Sequence, residues 1–124
     1  MSISYTLYLA DKRAPDLGVP RPHLWAEAGP VRAPIDAYMK EDHGFLPHVS
    51  VGLRLDKEEL DASQDDLVEV VIAMLRASSG DAVLLRENEY VALRRRGGKV
   101  EVLDDALWRE PRRQAAAAAF ARET

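Results

Sequence analysis

The chain contains no cysteine. That excludes disulfides and thiolate chemistry and fits a reducing compartment. Its three histidines, His23, His43 and His48, follow no zinc-ligand spacing, and a metal site needs three or four such groups to converge. Although Glu41, Asp42 and His43 stand together, they read as surface or loop residues. No apolar run approaches the roughly 20 residues a membrane helix requires. The opening M-S-I-S-Y-T-L-Y-L-A-D-K-R has no basic segment ahead of its apolar residues, so it does not read as a secretory signal. There is no P-loop, no G-x-G-x-x-G, no G-x-S-x-G and no H-E-x-x-H. The formal net charge is −4, which argues against nucleic acid as the main partner, because phosphate binding needs a basic field. These absences lead to the expectation of a cytoplasmic protein with no cofactor, no metal, no membrane segment and no catalytic constellation.

What is present is enough apolar residue for one core. With 124 residues, 47% of them hydrophobic, a single domain over 1–124 is expected, burying roughly two-thirds of its unfolded surface. Ile3, Tyr5, Leu7 and Leu9 alternate with Ser4, Thr6 and Tyr8, which predicts a strand over Ile3–Leu9. The stretch from Asp11 to Pro34 carries Pro15, Pro20, Pro22, Pro30 and Pro34, which forbid a long helix and interrupt a sheet ladder. Two readings fit it: short strands at His23–Ala26 and Val31–Ala33, or an ordered loop anchored by Trp25. Pro34 suits the first position of a short helix running to Glu41, with Ile35, Tyr38 and Met39 on one face and Gly44 as its stop.

The organising stretch runs from His48 to Leu75. Val49, Val51, Leu53 and Leu55 alternate against Ser50, Gly52 and Arg54, a strand with one apolar face; Gly52 suggests a bulge or a close backbone approach. An acidic link follows, then Leu67, Val71, Met74 and Leu75 at helical spacing. The main helix is expected over about 64–79, with Ser63 as N-cap, Asp65 and Asp66 in the first turn and Gly80 as a left-handed C-cap. Beyond it a three-stranded meander is predicted: Ala82–Arg86, a turn at Asn88, Tyr90–Arg95 with Val91 and Leu93 pointing one way, the Gly97-Gly98 hairpin signal, and Lys99–Leu103. The tail over 109–124 reads as a short terminal helix, opened by Pro111, or a frayed end, with Trp108 plugging the edge of the core. The fold class is therefore α+β: a mostly antiparallel sheet of about four to six strands with one main helix packed on one face and a short C-terminal helix. The strand–helix–strand passage into Ala82 leaves one parallel or non-adjacent pairing open.

Two charged clusters are candidates for recognition. Residues 56 to 66 hold six acids (Asp56, Glu58, Glu59, Asp61, Asp65 and Asp66) against one lysine. A run of carboxylates at a helix entrance is ordinarily a solvated face, and catalysis needs burial or a specific neighbour. Such a run can steer a basic partner. With Glu41 and Asp42 these acids form the expected partner-binding set. Arg94, Arg95, Arg96 and Lys99 surround the Gly97-Gly98 turn but lack the interleaved aromatics of a nucleic-acid platform. They read as solubilising hairpin ends, with Arg94 placed to pair with Glu101 across the hairpin.

The order of features then carries a resemblance. G-F-L-P-H-V-S-V-G-L-R-L-D-K (Gly44–Lys57), the helix ending in M-L, S-G-D-A-V-L-L (Ser79–Leu85) and E-Y-V-A-L-R-R-R-G-G-K-V (Glu89–Val100) resemble the Sit-type (swarming-inhibition toxin) immunity protein family. These are small bacterial proteins that protect a cell from a cognate toxin delivered by kin. The opening M-S-I-S-Y-T-L-Y-L-A looks like that family's first strand. The resemblance covers about residues 1 to 10 and 44 to 108 and departs over Asp11–Pro34. It implies neutralisation of a cognate protein toxin by direct binding, with no catalytic residues to carry over. Two other classes stay open: a small-molecule-binding module or enzyme using a sheet–helix groove, with Tyr5, Tyr38, Tyr90 or the histidines as polar handles, and a homodimeric assembly subunit paired through an exposed sheet edge.

Overall fold

A computed structural model describes residues 3–18, 20–103, 106–109 and 112–120. Six strands form one sheet in the order β2-β3-β1-β4-β5-β6, every neighbour pair antiparallel. They are β1 (Ile3–Leu9), β2 (Leu24–Pro30), β3 (Val49–Leu55), β4 (Ala82–Arg86), β5 (Tyr90–Arg96) and β6 (Lys99–Val102). The helices are α1 (Ile35–His43), α2 (Leu60–Arg76) and α3 (Arg112–Phe120). The α+β class and the single main helix agree with the sequence reading. The passage from β3 through α2 to β4 gives the non-adjacent alternative, since β1 lies between the two strands.

The period-two pattern of β1 sorts the core into two layers. Tyr5, Leu7 and Leu9 pack with Val51, Leu53, Leu84 and Leu93 beneath Leu67, Val71, Met74 and Leu75 of α2. Burial of each such leucine or valine stabilises by roughly 2 kcal/mol relative to exposure. Trp108, Ala116 and Phe120 close the same layer, and the Trp108 indole N–H donates to the Ala92 carbonyl at 2.6 Å, so Trp108 seals the core edge as expected. On the opposite face Tyr8, Val83 and Leu85 meet Met39 of α1 and Phe45. This smaller layer leaves the β2–β3 end of that face open.

Several boundaries differ from expectation, each for a physical reason. α2 begins at Leu60 after a 3-10 turn over Lys57–Glu59, so Ser63 lies inside it and Asp65 and Asp66 are past its first turn. The buried Ser63 hydroxyl serves tertiary structure instead. It donates to the His23 carbonyl at 2.7 Å and accepts from the Asp56 N–H at 3.0 Å, tying the start of β2 to the end of β3. At the other end α2 stops at Ala77, in ordinary right-handed geometry, and Gly80 has no left-handed role. The Asp11 carboxylate accepts from the Ser79 and Gly80 N–H groups at 3.1 and 2.7 Å. The buried Arg95 guanidinium donates to the carbonyls of Leu75 (2.5 Å) and Gly80 (2.8 Å) and to the Ser78 hydroxyl (2.8 Å). A side chain from β5 thus supplies the donors that a glycine cap would have supplied.

Between β4 and β5 a register shift at Leu84/Leu85 puts Leu93 in the α2 layer and Val91 against the α1 layer, so the two do not point one way. Gly52 shows no bulge; β2 and β3 pair through it in unbroken register. In α1 Pro34 is the N-cap and Gly44 the left-handed C-cap, but only Met39 is buried, with Ile35 and Tyr38 exposed. α1 meets the sheet along a single residue row. The proposed opening of the tail helix at Pro111 lies outside the described residues.

The Pro-rich region resolves into one strand, β2, not two. Trp25 is 52% exposed and does not anchor a loop. Alternation turns Leu24, Ala26 and Ala28 towards the α2 layer, where they pack, and leaves Trp25 and Glu27 on the open face.

Candidate functional site

The six acids of 56–66 occupy the end of the sheet where β3 stops, and they divide by function. The Asp56 side chain accepts from the Glu58 N–H at 3.0 Å and lies 3.7 Å from His23 Nδ1. Asp65 accepts from Arg112 at 3.2 Å, and Asp61 approaches the same guanidinium at 3.8 Å. Arg112 itself is buried and donates also to the Leu107 carbonyl (2.8 Å) and the Gln64 amide oxygen (3.0 Å). Two of the acids therefore help to clamp α3 onto α2. Glu58 and Glu59 are exposed and Asp66 is half-buried; none of the three forms an ion pair among the described residues.

Glu41 and Asp42 are not brought to these acids. They end α1, which precedes β3 and covers the opposite face. The seven residues of β3, about 20 Å at the usual rise, separate the two groups. Near Asp42, burial of the His43 imidazole lowers its pKa below the ordinary value; the Arg94 and Arg96 cations push it the same way, and the Asp42 carboxylate opposes them. The histidines stand apart. The ring of His48 is bonded through Nδ1 to the Ala10 carbonyl at 2.8 Å, His23 faces Asp56, and His43 sits at the end of α1. Among the described residues no cluster of His, Asp or Glu is placed to hold a metal ion.

The basic hairpin disperses in the same way. Arg94 pairs with Glu101 at 3.0 Å as expected, Arg95 is buried under α2, and Arg96 donates to the His43 carbonyl at 2.5 Å. The three arginines therefore go to separate partners.

One concave feature was not legible in the sequence. A cleft of about 660 Å³ runs past the β2 edge. Leu17, Pro20, Leu24, Ala26 and Val70 line its apolar side, and Arg21, His23, Arg54 and Asp56 its polar rim. Arg21 pairs with Glu69 at 2.8 Å, while its buried Nε has no partner among the described residues. The Arg54 guanidinium lies 5.1 Å from the Trp25 ring centroid, a stacked cation–π contact on the open face. The signal for this feature was the L-W-A-E-A-G-P alternation, hidden among prolines.

Fold and surface together define a one-sheet α+β protein with an exposed edge strand, a cleft beside it and an acidic shoulder at Asp56–Asp66. The chain belongs to the SitI3-like family, whose model matches residues 10–113. The bounds of the match take in the Pro-rich segment, where the resemblance read from the sequence departs. Membership points to an immunity protein and away from an enzyme. No curated protein and no solved structure matches the chain. Among the described residues no helix is long and apolar enough to cross a membrane.

Proposed function

We propose that this protein is a bacterial immunity protein that acts in the cytoplasm, binds a cognate protein toxin directly and silences it without catalysis. The observation that carries the reading is the family match over residues 10–113. The scatter of the titratable groups supports it. Glu58, Glu59 and Asp61 stand in solvent, without the burial that tunes a general acid or base. The toxin contact is assigned to the acids Asp56, Glu58, Glu59, Asp61, Asp65 and Asp66, with Glu41 and Asp42 as a separate patch on the far side of the sheet. An acidic shoulder on a rigid helix entrance speeds encounter with a basic toxin face.

The first test is whether a modular protein with a variable C-terminal domain is encoded immediately upstream; the second is co-expression with that toxin domain, with growth rescue and co-purification as readouts. Reversal of Glu58, Glu59 and Asp66 to lysine is expected to weaken the complex and steepen its loss with salt. Asp65 is left intact in that variant because it holds Arg112. Unchanged affinity and protection would remove the acidic contact surface from the account.

A second reading, a small-molecule-binding module, draws on the 660 Å³ cleft with its mixed polar and apolar lining. Under that reading a ligand would raise the melting temperature of the protein in the absence of toxin.

A further inference from the structure

The β2 edge offers hydrogen-bonding groups whose positions follow from the register. The Val31 N–H donates to the His48 carbonyl at 3.1 Å and the Asp56 N–H to the His23 carbonyl at 3.4 Å. With Leu24–Pro30 paired to β3 in unbroken register, odd-numbered β2 residues turn their backbone groups to β3 and even-numbered ones turn theirs outward. β2 ends the strand order, so no strand among the described residues takes the outward groups. The Leu24 N–H is used by the Arg21 carbonyl at 3.5 Å, and Pro30 has no N–H. What remains is a window centred on Ala26 and Ala28, each presenting one N–H and one carbonyl.

Around this window the surface is shaped for an extended chain. On the α2 side the small side chain of Ala26 lines the cleft together with Val70 and Leu17. On the other side Glu27 is exposed and forms no ion pair among the described residues. Asp56 of the acidic shoulder borders the same cleft.

We propose that β2 accepts an extended segment of the toxin as a seventh strand. The segment exchanges backbone hydrogen bonds with Ala26 and Ala28, sets a lysine or arginine opposite Glu27, and lowers an apolar side chain into the cleft between β2 and Val70. Strand addition of this kind takes affinity from the backbone and specificity from alternate side chains. A second copy of this chain fits the window less well. Pairing Ala26 with Ala28 of the copy would place Glu27 directly against its own equivalent, and like charges opposite one another in a sheet repel. The inference rests on the toxin-binding reading above and specifies where and how that binding occurs.

The experiment measures the affinity of the upstream toxin domain for wild-type protein and for Glu27→Arg and Ala26→Pro, with hydrogen exchange of the Ala26 and Ala28 amides in the free protein and the complex. Glu27→Arg changes an exposed side chain and leaves folding intact; about tenfold weaker binding is expected. Ala26→Pro removes an outward donor at an edge position that tolerates proline, and about tenfold to a hundredfold weaker binding is expected. The two amides should exchange freely alone and slow in the complex. Tight wild-type binding with both variants unaffected and no protection of these amides would overturn strand addition while leaving toxin binding standing. Protection already present in a toxin-free dimer would also overturn it, assigning the edge to a second copy. Absence of any wild-type complex would remove both readings.

Discussion

Arg112 gives the sharpest stability prediction, because it separates acids that hold the fold from acids free to meet a partner. Its guanidinium is buried and donates to the Leu107 carbonyl, the Gln64 amide oxygen and the Asp65 carboxylate. Arg112→Ala takes a donor from two buried acceptors, at about 1–2 kcal/mol each. The ion pairs add only about 0.5 kcal/mol, since the side chains of Asp65 and Asp61 are 58% and 96% exposed. The sum is about 3 kcal/mol, or a fall of about 10 °C in Tm for a domain of this size. Asp65→Asn keeps the acceptor and should cost under about 1 kcal/mol, whereas Asp65→Lys sets a cation beside a buried cation and should cost about 2 kcal/mol. Equilibrium denaturation in urea and thermal melts of the three variants check the series. An Arg112→Ala protein within about 1 kcal/mol of wild type, or an Asp65→Asn protein as unstable as Arg112→Ala, would refute the clamp. The series also shows why any charge reversal of the acidic shoulder must spare Asp65 if loss of binding is to be read as loss of contact.

Three further outcomes are expected. Arg95→Met should destabilise by about 3 kcal/mol in urea titrations, because the Leu75 and Gly80 carbonyls lose charged donors; a neutral result would mean the end of α2 does not depend on β5. Gly44→Ala should cost about 1–2 kcal/mol, since Gly44 has φ +82° and an added Cβ would stand 2.8 Å from the Arg96 guanidinium; a melt unchanged from wild type would contradict this. His43 predicts a pH dependence. Its folded pKa lies below the ordinary 6.5, so the unfolded chain binds the proton more readily and stability rises with pH through that window. The contribution is present above about 6.5 and lost as pH falls through the folded value. Solvent screening keeps the slope shallow, and His43→Gln should flatten it; an opposite slope assigned to His43 would be inconsistent with its surroundings.

Much of the fold was legible because most of its elements obey local rules. β1 and β4 run over the residues predicted, and the Gly97-Gly98 turn falls where its dipeptide said, with both residues at positive φ. The misreadings at Ser63 and Gly80 share one cause, tertiary use of residues that look like local signals. Ser63 resembles an N-cap, but its hydroxyl joins His23 to Asp56. Gly80 resembles a C-cap, but Arg95 and Asp11 supply the donors and acceptors there. Five prolines pointed to two short strands broken near Gly29-Pro30, or to a loop, and not to one continuous strand. Yet Pro30 stands at an outward-facing edge position, where a missing N–H breaks no ladder bond. The candidate site was legible as an acidic run and no further. Spacing along the chain does not show that Asp61 and Asp65 reach Arg112 some 50 residues away, that Glu41 and Asp42 face the other way, or that β2 lies at an edge.

Under the proposed function, protection comes from stoichiometric binding. The measurement that meets it most directly is a titration of this protein against a fixed amount of the upstream toxin domain, with toxin activity and complex formation followed in the same samples. Binding predicts that activity falls linearly and vanishes near one equivalent, in step with the complex. Silencing by a small fraction of an equivalent, or full silencing with no complex, would contradict it and point to a catalytic or indirect route.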